Sequence, residues 1–517
     1  MPALFLHLWK ILHFMNIQKF VAAMQSGYTF KTGGMQIGAA KLDGTVYPEC
    51  PVRLPLKTMN RHGLIAGATG TGKTKTLQIV AEGLSDAGVP VMLMDVKGDL
   101  SGLAAAGSVN DKINERYGGL GLTYQPQAYP VELLSLSSEK GARLRATVSE
   151  FGPVLLAKVL ELNDAQEGLL AILFKFCDDN ALPLLDLKDF SKVLQYAANE
   201  GRALIEKDYG RISTASLGTI LRKVVELQQQ GADRFFGELS FDIHDLIRID
   251  DKGRGYINIL RVTDMQSSPK LFSTFMLQML AELYSVLPEE GDLDQPKLVL
   301  FIDEAHLIFR AAGKALLQQI ETIVKLIRSK GVGIIFCTQS PTDIPETVLG
   351  QLGLKIQHAL RAFTANDRKA IRQAAQNYPE TDFYKTEDLI TQLGIGEALI
   401  TVLNEKGIPT PLVYTVLTSP RSRMDILSEN EIDEIVNRSA LIRKYNTEID
   451  RESAYEILNK KIDGDIISVP KTASAPKRGR PQKPSSWLEQ ALNSAAGKQA
   501  QRSIVRSAFQ ILQKVLK

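Results

Sequence analysis

At 517 residues, with 44% hydrophobic and 23% charged residues, the chain is globular and long enough for two or three domains, or one large domain with insertions. No run approaches the roughly 18 apolar residues that crossing a bilayer requires, so no integral membrane association is expected. The three cysteines (Cys50, Cys177, Cys337) are too far apart and too few for a disulfide framework or metal-ligand spacing. The net charge is only +3, but residues 471–517 carry ten Lys/Arg against one Glu, an asymmetry that points to a basic tail seeking an acidic partner.

Residues 1–30 open on "MPALFLHLWKILHFM", which is apolar but lacks a basic start and a small-residue cleavage site. The expectation is an N-terminal extension without fixed structure, with the true start at Met15 or Met24; a membrane-touching or partner helix is the alternative. Residues 31–99 begin with strand-like pieces, "MQIGAA" and "VRLPL". There follow a short apolar run, "HGLIAG", and a Gly/Thr-rich loop. A helix then runs from Lys73, with Leu77, Val80, Ala81 and Leu84 at helical spacing, as far as Gly88. "VPVMLMD" reads as a buried strand, completing a βαβ unit and implying a parallel sheet.

Residues 100–290 break that rhythm and read as a mainly helical insertion. Over 291–420 the α/β pattern resumes: "KLVLFIDEA", a helix over about 313–330, "GVGIIFCTQ", "LKIQHAL", then the closing strands "GEALITVL" and "PLVYTVLT". Residues 421–465 are charged and helical, 466–487 form a Pro/Lys/Ser linker, and 488–517 carry a basic amphipathic helix.

Gly67-Ala68-Thr69-Gly70-Thr71-Gly72-Lys73-Thr74 fits the G-x-x-x-x-G-K-[ST] phosphate-loop pattern and lies between a strand and a helix, the context this motif needs. The glycines let backbone N–H groups turn inward around phosphates, and the helix presents its positive end to them. These eight residues and Lys75 are the expected nucleotide-binding set, with Lys73 on the β- and γ-phosphates of ATP and Thr74 on Mg²⁺. "LVLFIDEAH" delivers Asp303 and Glu304 at the C-terminal edge of a strand, where such sheets bind ligands. Asp303 is the expected second Mg²⁺ residue, and Glu304 the base that takes a proton from an attacking water. Gln339, ending "IIFCTQ", is a candidate sensor of the terminal phosphate. Arg361 and Arg328 are candidate arginine fingers, and Asp95, Lys97 and Asp99 of "DVKGD" are candidates to line the same edge. Although "DEAH" also names a class of two-domain RNA helicases, about 230 residues separate Lys73 from Asp303 and no second ATPase half follows, which argues against that class.

With these residues assembled, the chain resembles the HerA/FtsK division of P-loop ATPases, and most of all the bacterial HerA-like proteins of unassigned function. "NRHGLIAGATGTGKT", "VPVMLMDVKGDLSGL", "LVLFIDEAHLIF", "GVGIIFCTQSPTDIPETVLGQLG", "HALRAFTANDRKAI" and "LGIGEAL" carry the match, over roughly residues 30–420. The resemblance implies an α/β P-loop NTPase with a RecA-like parallel sheet core, ATP hydrolysis, a hexameric ring and kinship with DNA-pumping motors. HerA itself has an N-terminal β-barrel, whereas only 66 residues precede Gly67 here. The expected function is a cytoplasmic ATP-driven DNA translocase or helicase. The alternative is an ATP-dependent switch or scaffold acting on a protein partner without DNA. Arg478-Gly479-Arg480-Pro481, in "PKRGRPQKP", resembles an AT-hook core, an independent hint of minor-groove binding.

Overall fold

The computed structural model describes residues 2–462, apart from 137–138, 264–268, 292, 312–313, 448 and 450. The expected linker, its AT-hook-like segment and the C-terminal amphipathic helix lie outside the described residues. Two compact units form: one takes residues up to 144, 241–276 and 288–447, the other 145–240, 277–287 and the described residues from 449 on.

The first unit is built on a sheet of twelve strands: β1 (Gly34–Leu42), β2 (Thr45–Pro55), β3 (Gly63–Ala66), β4 (Val91–Asp95), β5 (Val131–Ser135), β6 (Ala142–Arg143), β7 (Ile257–Arg261), β8 (Leu298–Ile302), β9 (Val332–Thr338), β10 (Leu354–Gln357), β11 (Glu397–Val402) and β12 (Val413–Leu417). Their order across the sheet is β2-β1-β12-β11-β10-β3-β9-β8-β4-β7-β5-β6. From β10 to β6 all neighbours run parallel, while β11, β12, β1 and β2 form an antiparallel wing. The parallel strands β4, β8 and β9 are buried at every position, which explains their unbroken apolar sequences: a strand covered on both faces has no solvent side to alternate with. The fold is thus α/β around a mostly parallel sheet. Among the described residues no helix is long and apolar enough to cross a membrane.

Three expectations about organisation differ from what is observed. In place of an unstructured N-terminal extension, a helix spans Pro2–Gly27. Its second half sends Phe20, Met24 and, just beyond, Tyr28 into the core, with Ile17 and Val21 beside them. The Phe20 ring meets Tyr47, Phe383 and Tyr384 edge-on at 5.6, 5.3 and 6.1 Å, and the buried Tyr28 hydroxyl donates to the carbonyls of Ile400 and Pro411. Positions 17, 20, 21, 24 and 28 form the stripe that drives this docking. Phe20→Ala is therefore expected to destabilise the protein by about 3–5 kcal/mol, seen as a lower midpoint of guanidinium unfolding.

Second, residues 100–290 are not one helical insertion, because β5, β6 and β7 join the main sheet. Their signal was masked by buried polar residues with partners inside the protein. Glu132 of β5 pairs with Arg248 at 2.9 Å and accepts from the Ser439 hydroxyl, while the Asn258 amide of β7 donates to the Val91 and Leu246 carbonyls, both at 3.1 Å. The helical part is narrower. In the second unit the helices Val148–Val159, Asp164–Asp179 and Leu187–Ala198 each start on a reciprocal capping box (Thr147 with Glu150, Asn163 with Gln166, Asp186 with Asp189). Third, the charged segment 421–465 is divided. Helices Glu429–Arg438 and Ala440–Tyr445 belong to the first unit, whereas Ala454–Ile462 packs on Leu187–Ala198 in the second, its start tied by Tyr455 N–H to the Asp189 carboxylate at 2.9 Å.

Candidate active site

The C-terminal ends of β10, β3, β9 and β8 lie side by side: Gln357 is paired with Ala66, Ala66 with Thr338, and Ile302 with Phe336. Each of these strands hands the chain to a loop at the same edge, so residues far apart in sequence converge there.

After β3 the phosphate loop turns through Gly67, Gly70 and Gly72, with φ of 155°, 78° and 107°. The requirement is sharpest at Gly67, where a Cβ would lie 2.5 Å from the Cβ of His358. Thr71 hydroxyl donates to the Ala68 carbonyl at 2.7 Å, and Gly396 N–H braces the loop from the turn before β11 by donating to the Thr71 carbonyl at 3.3 Å. Behind the loop, the fully buried His358 sets its Nε2 2.9 Å from the Thr76 hydroxyl, and burial, helped by the Lys73 charge, pushes its pKa down to about 4. His358 is thus neutral at physiological pH. The sequence assigned this residue no role, because its contacts reach across 282 positions.

The helix Lys73–Asp86 follows, and Gly72 at its N-cap supplies no capping side chain, so first-turn N–H groups stay available to an anion. The buried Lys73 ammonium donates to the carbonyls of Gly67 at 2.5 Å and Ala68 at 3.1 Å, inside the curl of the loop. Burial lowers its pKa, Lys97 adds to that, and Glu304 and Asp303 oppose it. Thr74 is half-buried in the same first turn, while Thr69 and Gly70 are exposed. The Lys75 ammonium, by contrast, is engaged away from the loop, donating to Gln78 Oε1 at 2.8 Å and the Met424 carbonyl at 2.5 Å, so only its backbone belongs to the loop's helix start.

Strand β8 delivers Asp303 and Glu304, each 6% exposed. Burial pushes the Asp303 carboxyl up to about 6 and Glu304 adds to the rise, while the nearby Lys97 ammonium works against it. Glu304 adopts φ +47°, a left-handed conformation uncommon for a side-chain-bearing residue. One of its oxygens pairs with Lys97 Nζ at 2.5 Å, and the other lies 3.2 Å from His306 Nδ1 without hydrogen-bond geometry. Lys97 arrives from β4, the strand beside β8. Asp95 closes the turn that presents it, accepting the N–H groups of Gly98, Asp99 and Leu100 at 2.7, 3.1 and 3.2 Å. Burial, reinforced by Asp99, holds the Asp95 carboxyl up to about 6 against those donors.

Of the other expected site residues, Gln339 is exposed just after the Thr338 that adjoins Gly67, and Arg361 is exposed beyond β10 on the same edge. Arg328 lies at the other end: it sits in the 3-10 turn Ile327–Lys330 before β9, about 20 Å along that strand from Thr338. There it joins burial in holding the His62 imidazole down to about 4. The fold therefore separates Arg328 from the phosphate loop of its own chain.

These residues fit a Mg²⁺-nucleotide. A glycine cradle that a Cβ would fill, uncapped helix N–H groups, an inward ammonium, a hydroxyl in the first turn and a buried carboxyl meet at one sheet edge.

Comparison with known proteins points the same way. A family model described as helicase HerA-like C-terminal matches residues 41–516. The DNA double-strand break repair helicase HerA of Sulfolobus acidocaldarius is 23% identical over 388 residues, covering 74% of this chain and 69% of its own length. Its counterpart from Sulfurisphaera tokodaii is 25% identical over 383 residues, covering 72% and 67%. Among solved structures, the plasmid coupling protein TrwB in complex with a non-hydrolysable ATP analogue superposes with a TM-score of 0.51 and 15% identity over 78% of this chain and 95% of that one. That likeness shows a shared fold.

Proposed function

The chain belongs to the helicase HerA-like C-terminal family and is a P-loop ATPase, and on that premise we propose that it is a DNA-acting motor, a cytoplasmic ATP-driven translocase or helicase working as a hexameric ring. The observation that carries the reading is the convergence of the phosphate loop with the Asp303–Glu304 pair at one edge of the parallel sheet, in a chain similar to proteins named DNA repair helicases.

In this reading Lys73 and the loop N–H groups take the phosphate charge of ATP, and Thr74 and Asp303 hold Mg²⁺, which when bound neutralises charge on the phosphates. Glu304 takes the proton of the attacking water, and Gln339 orients that water. Arg361 lies at the same edge and is the better-placed finger, while Arg328 can serve only the site of a neighbouring subunit. Exposure of Thr69, Gly70, Gln339 and Arg361 leaves this edge open to such a neighbour, which supports the ring.

Steady-state ATPase rate measured against added duplex and single-stranded DNA tests the proposal, with Glu304→Gln as blank. Several-fold stimulation is expected, weakening as salt rises because phosphate contacts give way to counterions. A slow rate indifferent to every nucleic acid, in a chain that still binds ATP, would instead favour a nucleotide-dependent switch on a protein partner.

A further inference from the structure

The Glu304 proposed above as the base is not free to act as one in this structure, and Lys97 is what holds it. One of its oxygens is engaged by that ammonium at 2.5 Å and the other is buried away from solvent, so neither meets a water as it stands. The backbone on either side is fixed: Ala305 N–H donates to the Cys337 carbonyl at 2.9 Å, and Leu307 N–H to the Glu304 carbonyl at 2.8 Å. Release must therefore come from side-chain movement. Lys97 is the mobile partner, being 39% exposed on a four-carbon stem, whereas the Glu304 side chain is 7% exposed. Burial alone would lower the Lys97 pKa, but its hydrogen bond to Glu304 and the Asp303 and Glu304 charges outweigh that and raise it, so the latch stays charged.

We propose that Lys97 is a positioning residue that restrains Glu304 and yields it only as its ammonium moves to the polyphosphate of a bound nucleotide, the movement that limits turnover. Lys97 touches Glu304 at the end of β8, the same edge of the sheet at which the phosphate loop follows β3, so its ammonium and the anionic ligand share one end of the sheet. Once the ammonium has moved, the oxygen it held is open to water, and the other keeps the off-geometry approach of His306. A partner or subunit that displaces Lys97 would accelerate turnover by the same route.

The inference rests on Glu304 being the base, so the full-length chain is assayed as parent, Glu304→Gln, Lys97→Met, Lys97→Gln and Lys97→Arg, using ATP and Mg²⁺ without nucleic acid. Loss of the latch should raise kcat of both neutral variants about three- to fivefold, the scale of a partly exposed ion pair, with KM changed much less. Lys97→Arg, which keeps the charge, should stay near the parent. A role confined to stability would lower active protein and move kcat down. If Glu304→Gln is inactive but the neutral variants are no faster than the parent, or Lys97→Arg is as fast as they are, the latch is wrong. If Glu304→Gln turns over at the parental rate, the base assignment fails and takes the latch with it.

Discussion

Replacing Lys73 with alanine is expected to abolish ATP hydrolysis, lowering turnover by about 10²-fold or more and weakening nucleotide binding with it. The ammonium lies inside the phosphate loop, bonded to the Gly67 and Ala68 carbonyls, where no other cation of the loop can substitute because Lys75 is tied to Met424 and Gln78. Unfolding is the control. Burial depresses the Lys73 pKa, so the folded chain disfavours its charged form at neutral pH, and alanine relieves that cost while losing two hydrogen bonds. The two effects oppose, and the unfolding midpoint should stay near the parental value. Loss of activity is then loss of the phosphate clamp. Hydrolysis and nucleotide binding close to parental values would refute the assignment of the loop.

The chemistry was legible in the sequence because it is carried by contiguous residues. Gly67–Thr74 fixes its own backbone geometry, and the apolar run before Asp303 declares a buried strand that ends at the acidic pair. Where a role depends on a contact across the fold, residue order does not state the contact, even for Lys97, which was a candidate for this edge. His358 packs behind Gly67 only because β10 lies beside β3, and Lys97 meets Glu304 only because β4 lies beside β8. The polar face of the helix Lys73–Asp86 was hidden in the same way. Lys75, Gln78, Glu82 and Asp86 hold the segment 421–424: Lys75 on the Met424 carbonyl, Gln78 on the Arg423 carbonyl, buried Glu82 on the Arg421 and Ser422 N–H groups, and Asp86 on the Arg421 guanidinium. The N-terminal helix is a different kind of miss. Its stripe at 17, 20, 21, 24 and 28 was present, but the more apolar residues ahead of it drew the reading toward an extension.

Glu304→Gln should separate binding from turnover. The substitution keeps the volume of a buried side chain and removes both its negative charge and its capacity to take a proton. General-base assistance of this kind is worth about 10²–10⁴-fold, and turnover should fall by that much. Affinity for ATP should stay equal or tighten, because the change deletes a carboxylate beside an anionic substrate and frees the Lys97 ammonium that was paired with it. Equilibrium binding of a fluorescent ATP analogue and single-turnover hydrolysis on the same preparation measure the two effects. Lys73→Ala loses both binding and turnover, whereas Glu304→Gln loses turnover alone. The contrast matters more than either loss, because misfolding would reduce binding and turnover together and cannot produce a chain that holds nucleotide at least as well as the parent and fails to cleave it. A Glu304→Gln protein that hydrolyses at the parental rate would move the base to another residue at this sheet edge, with Asp303 the nearest carboxylate.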